Sequence, residues 1–180
     1  MNRTADVVIV GAGVIGSATA FELAKRGYKT LNIDKLPASG YGSTSNSCAI
    51  VRAHYSTWDG VAMAYEGFFY WDDWNKYLEV EDERGMAKYM KTGSIMFMLK
   101  GADHSKKSLH LFKEIGVEHE IWDLETLKKK MPIYSHDSYN GTSRPDEDDS
   151  FFDKSGDQIE GAIWTPGSGY VSDPQLATHN

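Results

Sequence analysis

The chain has 180 residues, 41% of them hydrophobic and 25% charged, with a single cysteine and a formal net charge of −7. That composition excludes a disordered tail, a collagen-like repeat and a disulfide-stapled miniprotein, and its length suffices for a core of one domain or slightly more. The acidity is local: residues 137–160 hold eight acids against Arg144 and Lys154, and no basic stripe with interleaved aromatics points to nucleic acid.

In chain order, Val7 to Val10 is a short β-branched run reaching Gly11, and a helical stretch through Phe21, Leu23 and Ala24 follows until Gly27 stops it. Thr30 to Asp34 reads as a second buried strand. Residues 6–34 therefore make a βαβ unit whose two strands lie parallel. The apolar run 7–16 follows Asp6 and is too short and glycine-rich to span a bilayer, so it is read as a strand and turn and not as a leader or membrane span.

Pro37 to Asn46 is a Ser- and Gly-rich loop, after which Thr57 or Asp59 caps a long helix whose apolar face carries Val61, Ala64, Tyr65, Phe68, Trp71 and Leu78. Ile95 to Leu99 is a strand, Ser105 to Ile115 a helix ending at Gly116, and Val117 to Ile121 a further strand. Asp123 caps a short helix through Leu124, Leu127 and Met131 that Pro132 terminates. The basic run Lys128, Lys129 and Lys130 is its solvated face.

A polar, acidic loop is expected from about Tyr134 to Gln158, with the carboxylates at 146–149 as a solvated insertion and no metal site, and Ala162 to Thr165 as another strand. Ser172-Asp173-Pro174 is a helix-start signal with only six residues after it, leaving the helix no room to form. The expectation is an N-terminal piece of a longer protein, or a subunit completed by another chain. Cys48 alone cannot build a disulfide framework and fits a reducing compartment, so a cytoplasmic setting is expected. The sequons Asn2-Arg3-Thr4 and Asn140-Gly141-Thr142 are read as chance matches.

The chemistry concentrates at Gly11, Gly13 and Gly16 in the run Gly-Ala-Gly-Val-Ile-Gly. The first glycine serves a tight turn, the second the close approach of backbone to a pyrophosphate, and the third the packing of helix on strand. The helix N-terminus beyond offers unpaired N–H groups and the positive end of a dipole. Asp34, 18 residues after Gly16 at the end of the second strand, can accept hydrogen bonds from an adenosine ribose and would repel a 2′-phosphate, which disfavours NADP. This fingerprint points to a dinucleotide and leaves NAD and FAD both open, because the two share the adenosine diphosphate half.

The next segment reads Gly42-Ser43-Thr44-Ser45-Asn46-Ser47-Cys48-Ala49-Ile50-Val51-Arg52-Ala53-His54-Tyr55-Ser56. With the glycine turn before it and Gly169 to Pro174 later, it resembles the D-amino acid oxidase superfamily of flavoproteins, in particular its sarcosine oxidase and dimethylglycine dehydrogenase branch. The resemblance implies an α/β fold and FAD as cofactor. A Rossmann-like FAD-binding domain would have its first part at 1–90, an α+β substrate domain would begin at 91–165, and 166–180 would be a return segment, the whole incomplete.

The resemblance also implies roles. Gly11, Gly13, Val14, Ile15, Gly16, Asp34 and Lys35 would hold the adenosine diphosphate, and Ser43, Thr44 and Ser45 would form a loop passing beside the flavin. Arg52 would bind a substrate carboxylate with its fixed fork of donors, the alternative being a structural ion pair. His54 and Tyr55 would be an acid/base pair or polar contacts at the ring, the alternative being packing. Where dimethylglycine dehydrogenases carry a histidine bonded to flavin, this loop places Asn46, whose amide cannot form that link. The implied reaction takes a hydride from the carbon next to an amine nitrogen of a small carboxylated amine and yields an imine that hydrolyses. An NAD-dependent dehydrogenase, and a non-catalytic flavin-binding component needing downstream sequence or a partner chain, are the alternatives.

Overall fold

Strand β1 (Val7–Val10) lies parallel to β2 (Thr30–Ile33), in register from Val7 opposite Thr30 to Val10 opposite Ile33, as the βαβ reading requires. The computed structural model describes residues 4–101, 103–139 and 144–180. The Asn140-Gly141-Thr142 sequon and residues 2 and 3 of the other lie outside the described residues. Helix α1 (Val14–Lys25) joins the two strands. Its end is a Schellman turn, in which Gly27 N–H donates to Ala24 and Tyr28 N–H to Leu23, so two orphan carbonyls of the last turn are satisfied.

The chain folds as two compact units. One contains residues 4–51, 67–91 and 169–180, and the other contains Arg52–Glu66 and Thr92–Ser168. Besides the parallel pair, the first unit holds a small antiparallel sheet in the order β3 (Ile50–Val51), β9 (Gly169–Val171), β4 (Tyr89–Met90). Ala87, Val171 and Ala177 form a buried cluster against Val51, Trp71, Trp74 and Leu176.

The long helix expected after Thr57 is two helices. Thr57 does cap the first, its hydroxyl accepting the Gly60 N–H at 3.2 Å, and α2 runs Trp58–Asp72. Asp73 leaves helical geometry (φ −129°, ψ 53°) and α3 (Trp74–Leu78) restarts from it. The aromatic stack explains why the break is tolerated: Trp71 lies on Trp74 at 4.4 Å, Tyr70 on Tyr77 at 4.6 Å, and Tyr77 reaches Phe21 of α1 at 5.2 Å. The predicted apolar face is the buried one, with Val61, Phe68 and Leu78 all in the core.

At the C-terminal end the expectation fails. Asp173 accepts the Leu176 N–H at 2.9 Å and α6 (Pro174–His179) forms in the six residues available. A cap, a proline at the first helical position and burial of Ala177 and Thr178 substitute for length.

The second unit is an antiparallel sheet in the order β5 (Ser94–Leu99), β8 (Lys154–Thr165), β6 (Glu120–Asp123), with β7 (Asp137–Tyr139) also pairing β8. Helix α4 (Asp103–Ile115) ends at Gly116 as expected, and α5 (Leu124–Lys130) starts from Asp123, whose carboxylate accepts the Thr126 N–H at 2.8 Å. Trp122, Leu127, Ile159 and Ala162 make its core with Ile95, Met131 and Trp164. The expected loop from Tyr134 to Gln158 is a correction: it contains β7, a 3-10 turn (Asp149–Phe152) and the first residues of β8. Pairing with β7, and an ion pair of Lys154 with Asp137 at 2.7 Å, hold that polar stretch extended without apolar alternation to announce it.

Candidate functional site

The first unit gathers its chemistry where β1 hands over to α1. Gly11 has φ +111°, a conformation L side chains rarely adopt, and its N–H donates to Ile33 O at 2.8 Å. Gly13 is the N-cap of α1, and no side chain caps the helix from that position. A Cβ on Gly16 would stand 2.0 Å from the Gly11 carbonyl oxygen, so only glycine lets the first helical turn close onto the strand end.

Asp34 is exposed and sits across this turn. One carboxylate oxygen accepts the Ala12 N–H at 2.7 Å and the other accepts the Leu36 N–H at 2.9 Å. The Ala12 bond, then the Leu36 bond, hold its carboxyl below the usual carboxylate range, so it is ionised at neutral pH. A carboxylate has about four acceptor sites, and two are taken. The side chain is exposed and keeps further acceptor capacity. Lys35 is exposed beside it.

The loop from Pro37 to Asn46 packs back on the turn. Gly40 N–H donates to Ala12 O at 2.7 Å, and Thr44 Oγ1 accepts the Val14 N–H at 3.1 Å. Thr44 thus serves the first N–H of α1, and a Cβ on Gly13 would lie 3.1 Å from that hydroxyl. Ser45 donates to Gly42 O at 3.0 Å and so does Asn46, at 3.1 Å, while Ser43 is exposed. Ile15 is 82% exposed and Val14 46%. The structure therefore brings Gly11, Gly13, Val14, Gly16, Asp34 and Thr44 together at one turn. Sequence reasoning missed Asn32, whose amide donates to Gly16 O at 3.2 Å, and the Gly40 bond to Ala12. An asparagine inside an apolar strand was the available signal for the first; Gly40 had none beyond its place in a Gly-rich loop.

This arrangement can hold an extended anion. Thr44 takes only the first N–H of α1; the N–H groups and dipole of a helix start suit a diphosphate, and an ionised carboxylate one strand away suits the hydroxyls of an attached sugar.

Arg52, His54 and Tyr55 belong to the second unit. Arg52 is exposed and has no hydrogen-bond or ion-pair partner among the described residues. Ala53 is fully buried, and His54 is buried with Nε2 3.0 Å from Thr165 Oγ1 and its ring 5.6 Å from that of Phe112. Burial first, then the positive charges of Arg52 and His104, push the His54 pKa down to about 4, so the ring is neutral at pH 7. Tyr55 is half-exposed.

A family model described as FAD dependent oxidoreductase (DAO) matches residues 6–180. A putative sarcosine oxidase of Caenorhabditis elegans is 30% identical over 147 residues, covering 81% of this chain and 36% of that protein. The monomeric sarcosine oxidase of Bacillus sp. (strain B-0618) is 29% identical over 149 residues, covering 81% and 37%. Among solved structures, L-proline dehydrogenase from P. horikoshii superposes with a TM-score of 0.72 at 21% identity, over 99% of this chain and 41% of that one. Glycine oxidase from Geobacillus kaustophilus gives 0.63 at 22%, over 96% and 42%. The chain thus spans little more than a third of the length of the curated relatives it matches. Among the described residues, no helix is long and apolar enough to cross a membrane.

Proposed function

Because the chain belongs to the FAD-dependent oxidoreductase family, we propose that its glycine turn and Asp34 hold the adenosine diphosphate half of FAD. We propose further that the protein oxidises the C–N bond of a small carboxylated amine, of the N-methyl amino acid class, to an imine that hydrolyses. The observation that carries this reading is the turn itself: a glycine at the N-cap of α1, backbone too close at Gly16 for any side chain, and the Ala12 N–H pinned to Asp34. When bound, FAD supplies the hydride acceptor.

The chain's own residues bind and orient. N–H groups at the start of α1 receive the diphosphate, with Val14, Ile15 and Lys35 beside it, and Asp34 accepts from the ribose. Ser43, Thr44 and Ser45 shape the loop that closes on the turn. Arg52, a guanidinium with no partner among the described residues, takes the substrate carboxylate with two parallel hydrogen bonds. His54, neutral, buried and bonded to Thr165, is the packed member of the pair, and Tyr55, being half-exposed, is the polar contact.

Activity on this reading needs polypeptide besides these residues, from downstream sequence or a partner subunit. Support comes from the share of each relative that is covered and from apolar surface at the proposed cofactor turn, where Val10 is 84% exposed and Ile15 82%. The test is spectroscopic. The protein, alone and together with the additional polypeptide, is loaded with FAD, freed of excess cofactor and mixed without oxygen with sarcosine or dimethylglycine. Bleaching of the flavin band by an N-methyl amino acid is expected; a colourless protein whose melting temperature rises with NAD instead would sink the proposal.

A further inference from the structure

Thr165 Oγ1, at the end of β8, is the hub of a buried hydroxyl cluster within the second unit. It lies 2.8 Å from Ser94 Oγ, 2.9 Å from Ser168 Oγ and 3.0 Å from His54 Nε2, and it donates to Ser94 O at 3.3 Å. Thr165 and Ser168 are fully buried. Buried hydroxyls cost free energy unless paired, and a valine would fill the same space at a strand end without that cost. With one proton and two lone pairs, the Thr165 hydroxyl satisfies at most three of these four contacts at a time, so its bonding capacity is fully used.

The cluster has a rigid base. Ser94 and Thr165 are paired residues of the β5–β8 ladder, and the turn to Ser168 is closed by Ser168 N–H on Thr165 O at 3.2 Å and Gly93 N–H on Ser168 O at 2.8 Å. What it ties to that base is a segment outside any helix or strand. The ladder of β3 stops at Val51, and Arg52–Tyr55 has no regular secondary structure, only the Tyr55 N–H on Ala53 O at 2.9 Å. His54 Nε2 is the side-chain tether, with Ala53 buried between it and Arg52.

We infer that the Ser94–Thr165–Ser168 cluster, acting through His54, fixes the backbone from which Arg52 presents its guanidinium, so that His54 and Thr165 are positioning residues for recognition of a carboxylate. The inference rests on the reading of Arg52 as the carboxylate anchor. A flexible arginine delivers two directed hydrogen bonds only from a fixed backbone, because its rotamer entropy opposes any single placement. Nothing else among the described residues holds the Arg52 side chain.

The test uses the FAD-loaded protein and calorimetric titration with acetate, a carboxylate that cannot react, and with dimethylamine, an amine without one. Thr165→Val keeps the volume and removes the hydroxyl; Thr165→Ser keeps the hydroxyl; Ser94→Ala removes one partner and serves if Thr165→Val does not fold. Thr165→Val is expected to weaken acetate about tenfold, roughly one charge-assisted hydrogen bond, and Ser94→Ala about threefold. Thr165→Ser should stay within about twofold of the parent, as should FAD and dimethylamine affinity in all three variants. Selective loss of acetate in Arg52→Lys, with none in Thr165→Val or Ser94→Ala, overturns the inference and leaves the anchor intact. Equal losses of acetate and dimethylamine in Thr165→Val overturn it too. An Arg52→Lys variant that binds acetate as the parent does removes the anchor and this inference together.

Discussion

Gly16→Ala and Gly67→Ala make the same chemical change in the interior of a helix, and the structure assigns them opposite signs. By propensity alone each should stabilise by up to about 1 kcal/mol, since alanine loses less backbone entropy than glycine. At Gly67 in α2 the new methyl meets nothing within 4 Å, so that gain should be realised. At Gly16 it would stand 2.0 Å from the Gly11 carbonyl oxygen, where real Cβ atoms essentially never come closer than 3.0 Å. Relief requires the turn and the first turn of α1 to part by about 1 Å, and both are backbone. Overpacking of this kind costs roughly 1–3 kcal/mol, and a rigid obstacle puts the cost at the upper end. The net expectation is a loss of about 2 kcal/mol for Gly16→Ala, a melting temperature roughly 4–8 °C lower, against a rise of about 2–4 °C for Gly67→Ala. The N–H groups proposed for the diphosphate move with the turn, so FAD affinity should fall at least about tenfold in the first variant and stay unchanged in the second. Circular-dichroism melts and quenching of FAD fluorescence read both quantities. Equal shifts of the same sign would refute the steric account, and unchanged FAD affinity in a destabilised Gly16→Ala would detach the turn from cofactor binding.

His54 makes stability depend on pH. Its folded pKa of about 4 lies below the unfolded 6.5, so the neutral ring is favoured on folding; the contribution is complete above about pH 6.5 and is lost as pH falls toward 4. The full linkage is about 3 kcal/mol, and melts between pH 4 and 7 should show a slope of that sign in the parent and a flatter one in His54→Gln. Removing the α2 cap with Thr57→Ala should cost about 1 kcal/mol in denaturant titration without altering FAD affinity, and a neutral result would mean that the Gly60 N–H finds water as readily.

The βαβ unit was legible because three signals of different origin coincide: β-branched runs, glycines at steric contacts, and an acid at the second strand's end. Each is local and needs no knowledge of partners. The break between α2 and α3 was not legible, since the apolar face continues through it, and the stacking of Trp71 on Trp74 that accompanies the break joins side chains three residues apart, a spacing that a helix-period pattern already contains. The strand from Lys154 was hidden for the converse reason. Its residues are polar and acidic, and they are extended because β7 pairs with them, a property of the partner strand. The glycines and Asp34 were readable by spacing, whereas for His54 the sequence left a contact at the ring and packing both open. Its buried bond is to Thr165, 111 residues away, and separation of that size leaves no local trace.

Asp34 shows why spacing worked where it did. Its carboxylate accepts the Ala12 N–H inside the turn and the Leu36 N–H that turns the chain after β2, so one side chain fixes both ends of the connection around the proposed sugar site. An asparagine there offers a single carbonyl oxygen, and its amide nitrogen would face an N–H donor, leaving either Ala12 or Leu36 unanswered. The residue type is therefore demanded by the protein's own backbone before any ligand arrives. On the proposed reading, the remaining acceptor capacity meets a ribose diol from a side chain already fixed, and the entropy of ordering it is spent in folding rather than at binding. On the proposed reading, a carboxylate at this position, and not merely a polar residue, is what would make the glycine turn a nucleotide site instead of a tight turn that happens to be rich in glycine.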